Sequence, residues 1–407
     1  MRRTNAARVA ISILSSLLAV ASTGRAAAQE HAQERAHPHA DAHPHADKEK
    51  PWYERIQLRG YTQIRYNGLV QTNPELKNAQ GDRSLGGRPD FSIRRARLVI
   101  QGDVLPYLSI YFQPEFASAF EDTLNIVQLR DWWGEVFLDK RKQFRIRAGQ
   151  QKVPYGWELM QSSGNRAPFD RSDGMNSAFT NERDLGVFLY FETEAVRKRF
   201  ERLANSRMKG SGDYGMTAFG FTNGQPVNRA EQNANKHFFA RVAYPFDVGS
   251  QTLELAGGGY AGRFVPHKSE GVGGPREIRD ARIHGTFVWY PKPIGLQTEY
   301  NVGVGPERVG DAVVERPLSG GYVMLNACFQ VPTLGQMFPY ARIHHYDGGK
   351  KFEDDAPRYE IRQFDTGIEW QIKKWVELTP ELMVSERIVD GAKQDGLVLR
   401  LQLQLNY

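Results

Sequence analysis

The chain has a single cysteine, Cys328, in 407 residues, which rules out an intrachain disulfide and a paired-cysteine metal site. Beyond residue 28 no apolar run approaches the ~18 residues that a transmembrane helix needs. Mean hydropathy is negative, unlike that of a helical membrane protein. G-x-S-x-G, P-loop and H-E-x-x-H motifs are all missing. A hydrolase that places its Ser and His on different strands would carry no such motif and stays open. Helical spans are therefore excluded, but strand spans are not. A barrel shows only alternate residues to lipid and has polar loops, so it tolerates a low hydropathy.

The first 28 residues have the pattern of a secretory leader. Arg2, Arg3 and Arg8 precede the apolar stretch Val9–Ala21, and Ala26-Ala27-Ala28 forms a small-residue cleavage site. Cleavage after Ala28 leaves 379 residues and removes four of the 53 basic residues, so 49 basic face 47 acidic ones. The mature chain is almost neutral, and any case for anion binding rests on where the arginines sit. Residues 29–51 are rich in His, Pro and Ala and nearly repeat H-P-H-A-D, which reads as a disordered spacer. The other reading of this tail is a metal-binding segment using His31, His37, His39, His43 and His45 with Asp41 and Asp47.

The most informative stretch is the last, L-V-L-R-L-Q-L-Q-L-N-Y. Leu397, Leu399, Leu401, Leu403, Leu405 and Tyr407 share one face; Arg400, Gln402, Gln404 and Asn406 share the other. An eleven-residue alternating strand ending on an aromatic residue fits a membrane barrel, with lipid on one face and a lumen on the other.

From Ile56 onward the pattern predicts sixteen strands: 56–68, 90–104, 107–117, 125–139, 143–155, 184–193, 213–223, 236–246, 251–264, 277–291, 294–304, 319–331, 336–346, 358–373, 375–388 and 396–407. The fold class is thus all-β, a transmembrane antiparallel barrel following the leader and the His-rich tail. Short turns alternate with longer Gly/Pro/Asn-rich loops at 69–89, 157–183, 224–235, 265–276, 305–318 and 347–357. Short turns fit the periplasmic side and long loops the outer side. Segment 194–212 breaks this alternation: it is a long, basic connection of helical character where a periplasmic turn belongs.

The arginines have a face. Ile56, Leu58, Ile64 and Tyr66 share one parity, which puts Gln57, Arg59, Gln63 and Arg65 in the lumen. The same test places Arg95, Arg97, Arg145, Arg147, Arg342 and Arg400 inside, along with Glu115, Asp131, Glu135, Glu299 and Asp365. Two readings follow. The arginines form a track that selects anions by fixed charge, or they pair with the lumenal acids and brace the wall.

Two stretches, F-S-I-R-R-A-R-L-V-I-Q-G-D at 91–103 and F-R-I-R-A-G-Q-Q-K-V-P-Y-G-W-E at 144–158, resemble the phosphate-selective porin O and P family. The matching residues are Arg94, Arg95, Ala96, Arg97, Gly102, Arg147, Gly149, Gln150, Lys152, Pro154, Tyr155, Gly156 and Glu158. The resemblance implies an outer-membrane barrel, usually a homotrimer, with an inward-folded loop, here 157–183, narrowing the pore. That loop carries Arg166 and Arg171 but no lysine cluster, and Asp170 and Asp173 offset its charge. The expected function is passive diffusion of small solutes, with phosphate or related anions preferred. Arg59, Arg65, Arg95, Arg97, Arg145, Arg147, Lys152, Arg166 and Arg171 are the expected pore-lining set. Outer-membrane lipid is the expected surrounding; no cofactor and no nucleic acid are expected. The alternatives are a barrel enzyme such as a lipid hydrolase, a non-selective general porin, and an adhesion barrel.

Overall fold

The structure, a computed structural model, describes residues 51–72, 90–120, 123–206, 208–225 and 227–407. The leader and the His-rich tail lie outside them, apart from Pro51. Sixteen long antiparallel strands run in chain order. The first eight are β1 (Ile56–Thr72), β2 (Asp90–Leu105), β3 (Leu108–Phe120), β4 (Thr123–Phe137), β5 (Phe144–Lys152), β6 (Arg183–Phe191), β7 (Thr217–Thr222) and β8 (His237–Val248). Then come β9 (Gln251–Phe264), β10 (Ile278–Trp289), β11 (Ile294–Val309), β12 (Ala312–Ala327), β13 (Gly335–Gly349), β14 (Arg358–Lys373), β15 (Val376–Val389) and β16 (Gly396–Asn406). Phe329–Val331 continues β12 past Cys328, and Ala392–Lys393 adds a short piece beside β15. Each strand pairs with the next, and β16 returns to β1, with Tyr61 opposite Asn406 and Gly68 opposite Leu399. Closure leaves no sheet edge, the condition for crossing hydrocarbon with strands.

Period-two alternation decides which side chains meet lipid. In β16, Leu399 and Leu401 are exposed while Arg400, Gln402 and Gln404 are buried. In β5, Phe144 and Ile146 point out and Arg145 and Arg147 point in. Trp132, Phe219, Val242, Ile283, Val323 and Ile343 join an apolar outer surface. In water such a surface would be an aggregation liability; against acyl chains it is the stable arrangement.

Two expectations about the strands are corrected. Residues 305–318 are not a loop: β11 and β12 run through them and turn at Gly310-Asp311, where Gly310 takes φ +59°. The stretch holds Pro306 and Pro317, which lack the N–H of a ladder bond. However, β10 pairs with β11 only up to Val304, and β13 pairs with β12 only from Ser319 onward. Both prolines thus stand on the free sides of a projecting hairpin, where a missing N–H costs no ladder bond. The strand expected at 213–223 shrinks to Thr217–Thr222. Gly212 and Gly215 take φ values of +103° and +70°, which turn the chain off the wall just before it.

The connection between β5 and β6 folds into the barrel, with a single turn of helix, α1 (Asp173–Asn176), near its end. The connection between β6 and β7 opens with α2 (Glu194–Asn205). Thr193 caps α2 by accepting from Val196 N at 3.4 Å.

Candidate functional site

The loop over 153–182 starts at β5 and is tied to most of the remaining wall. Trp157 N and Glu158 N donate to Glu299 of β11 at 2.5 and 2.8 Å, and Gly156 N donates to His284 of β10 at 3.1 Å. Arg342 of β13 donates to Glu158 at 2.6 Å, and Arg387 of β15 holds Asp173 at 2.9 Å. Gln63 of β1 donates to Ser163 O at 3.1 Å, and Gln404 of β16 to Gly164 O at 3.0 Å. Gly174 packs against Gly320 and Gly321 of β12 so tightly that a Cβ on it would stand 2.4 Å from Gly321 N. The loop is a belt across the lumen. Its own apolar side chains, Val153, Tyr155, Leu159, Met175 and Phe179, form a core with Phe188, Phe239 and Tyr322 of the inner wall.

The lumenal arginines fall into two groups. In the first, each meets a carboxylate. Arg97 donates to Glu115 at 2.7 Å, and Arg130 to the same oxygen at 2.8 Å. Arg147 donates to Glu135 at 2.8 Å with its guanidinium 4.0 Å over the Trp133 ring. Arg145 pairs with Asp213 and lies 3.2 Å from Glu192. Arg65 and Arg400 both contact Asp170 and flank the Phe169 ring at 4.5 and 5.0 Å. Burial alone would raise the Asp170 carboxyl. Arg400, Arg65, Arg94 and Arg95 overcome that and hold it well below the usual carboxylate range. Arg171, in the loop, pairs with Glu182 and donates to the carbonyl oxygens of Glu158 and Gln161 at 2.9 and 2.8 Å.

The second group forms no ion pair with an acid among the described residues. Arg95, 5 % exposed, donates to Gln63 Oε1 at 2.8 Å, and among the described residues no carboxylate reaches it. The charges of Arg94, Arg97, Arg166 and Arg65 all act on it. Arg166, 6 % exposed, donates to the carbonyl oxygens of Pro168 and Phe169, and its buried Nη1 has no partner. Its burial and the nearby Arg171 charge disfavour its positive form, against the weaker pull of Glu158, Asp170 and Glu182, none of which forms an ion pair with it. Lys152 gives its ammonium to Met160 O and Gln161 O at 2.7 and 2.8 Å, pinning the start of the belt. Arg59 stands near the start of β1, exposed, and donates to Gln101 Oε1 at 3.1 Å.

Sequence reasoning missed Arg130, Arg183, Arg241, Arg282, Lys209 and Lys351, all buried in the interior. Parity would have shown Arg282. Arg241 was hidden because Phe238 and Phe239 put an aromatic ring on each face of its strand.

A closed barrel with an apolar exterior, a polar interior and a loop belted across the lumen defines an outer-membrane channel protein. The chain belongs to the phosphate-selective porin O and P family, whose model matches residues 75–279. No curated protein sequence matches it. Among solved structures it is similar to the outer membrane channel DcaP of Acinetobacter baumannii, with 11% identity and a TM-score of 0.54 over 86% of this chain and 97% of that one. It is also similar to OprB of Pseudomonas putida, with 7% identity and a TM-score of 0.55 over 87% and 95% of the two chains. A third is OmpF of Salmonella typhi in complex with daunomycin, with 13% identity and a TM-score of 0.52 over 86% and 97%. At these identities the likeness is one of fold. Family and fold together make this a channel for small solutes in the outer membrane of a Gram-negative bacterium.

Proposed function

We propose that the channel prefers anions, with phosphate and related oxyanions as its solutes, and that the preference resides in Arg95 and Arg166. The observation that carries this reading is the division between braced and unbraced arginines. Arg97, Arg145, Arg147 and Arg171 are each offset by a carboxylate. Among the described residues Arg95 and Arg166 are buried cations that form no ion pair with a carboxylate, with Arg65 and Arg94 near Arg95. Leaving a buried charge uncompensated costs on the order of several kcal/mol. An oxyanion held between the two guanidiniums would relieve that cost, and two planar forks of N–H donors match its geometry. A homotrimer is the assembly that the family resemblance implies, and cross-linking in detergent tests it.

Planar-bilayer recording tests the function. Purified protein should form discrete ohmic channels, and the reversal potential in a potassium chloride gradient should take the sign for anion flow. Phosphate on one side should reduce chloride current in a saturable way. A cation-selective reversal potential would overturn the proposal. A potential near zero with no phosphate block would favour a general porin.

A further inference from the structure

The channel reading leaves the long periplasmic connection between β6 and β7 unexplained. A tight turn would have served, as at the other short connections. Instead α2 lays Val196 and Phe200 against Ala243 and Ala256 of the inner wall, together with Met216 and Tyr244. Leu203 and Met208 continue the apolar contact to Trp157 of the belt and to Val288 and Tyr290. Its other face is polar: Lys198 pairs with Glu194, while Arg199 and Arg202 hold Asp247 at the rim.

Residues 208–216 then cross the interior. Lys209 Nζ pairs with Glu369 of β14, far round the barrel from the strands that hold the segment's ends, and both side chains are buried. The belt meets the segment from the opposite side. Gln161 donates to Lys209 O at 2.6 Å and Asn165 to Gly210 O at 3.0 Å. At the far end Asp213 is held by Arg145. A cavity where Lys209 meets the belt, lined also by Gln161, Arg166 and Gln297, measures about 10 Å³. That is the room taken by about one water. A sixteen-stranded barrel encloses more than its own wall side chains fill; here the belt and this second segment occupy part of the difference.

We propose that residues 208–216 form a strap that makes a second constriction on the periplasmic side, clasped by Lys209–Glu369, and that solutes pass when the clasp opens. The proposal rests on the channel function and not on the anion preference. Gly212 and Gly215, both in left-handed backbone conformations, give the strap a point at which to swing without strain. The strap is fixed to the wall by two ion pairs, Lys209–Glu369 and Arg145–Asp213. The belt, by contrast, is held to the wall at Glu158, Asp170 and Asp173 by arginines of three strands. The strap is therefore the element expected to yield first.

The test is a reducible tether. Lys209→Cys and Glu369→Cys are introduced with Cys328→Ala and bridged by a short bis-maleimide that contains a disulfide. Channels recorded with the bridge intact should conduct little, and reduction should raise conductance several-fold. The untethered protein on the same membrane separates a failed strap from a failed channel, and its reversal potential reports anion preference independently. Equal conductance before and after reduction would show a static filler and overturn the proposal. A second variant, Ser211→Cys with Cys328→Ala, keeps the clasp. A bulky charged thiol reagent added from the periplasmic side should then lower the current in steps. An unchanged current would likewise overturn the proposal.

Discussion

Arg342 Nη1 donates to Glu158 Oε1 at 2.6 Å, and this bond joins the wall of the barrel to the loop that crosses it. Both side chains are almost fully buried, and the same guanidinium also holds Asp365 at 2.6 Å and Asp170 O at 2.9 Å. One arginine thus sets the height of the belt and neutralises two acids. Arg342→Gln should destabilise the protein by about 3–5 kcal/mol, the cost of leaving buried acids without their partner. Unfolding temperature in detergent and heat-modified gel mobility would show it. An unchanged melting temperature would mean that the belt is held by its other contacts.

The braced arginines should matter for folding and little for selectivity. Arg97→Gln leaves Glu115 with Arg130, and Arg147→Gln leaves Glu135 with Arg145 at 3.6 Å. Each acid keeps one cation, so the double variant should assemble, at a cost of roughly 1.5–3 kcal/mol per lost charged hydrogen bond. Its reversal potential should stay close to that of the parent.

The barrel was legible in the sequence because lipid and lumen impose period two directly on the residues. Leu399, Leu401, Arg400 and Gln402 gave the sides of β16 without ambiguity. The projecting hairpin was not legible, because Pro306 and Pro317 break a strand only where a neighbour needs their N–H, and where the neighbours end is a tertiary fact. The arginines were legible as lumenal but not as paired or unpaired. Arg97 and Arg95 sit on the same face of one strand, and only the cross-strand register puts Glu115 beside Arg97. Parity likewise says nothing of segment 194–216, whose partners, Ala256 and Glu369, lie on distant strands.

Gly174 should not tolerate a side chain. Alanine there would place its Cβ within 2.4–2.6 Å of the Gly320–Gly321 backbone. The belt would have to lift from β12, and crowding of this kind costs about 1–3 kcal/mol. Gly174→Ala should lower the melting temperature and broaden the distribution of single-channel conductances. A variant with the parent's narrow distribution would place the pore-limiting contact elsewhere.

Stability should fall at alkaline pH through Glu192. Burial and the neighbouring Asp213 carboxylate push its carboxyl up to about 8. The folded state then binds the proton more tightly than the unfolded state, so stability declines as pH rises from the ordinary carboxylate range through that value. Between about pH 6 and about pH 9 the melting temperature should drop, and Glu192→Gln should flatten the profile. An equally steep fall in the variant would assign the effect to another group.

The most direct measurement compares reversal potentials of two double variants in the same salt gradient. Arg95→Gln with Arg166→Gln removes two buried cations that, among the described residues, form no ion pair; Arg97→Gln with Arg147→Gln removes two that are braced. The charge removed is equal. The first pair should abolish most of the anion preference and the saturable phosphate block while the barrel still assembles, and the second should leave both nearly intact. Equal losses from the two pairs, or a larger loss from the second, would contradict the assignment of selectivity to Arg95 and Arg166.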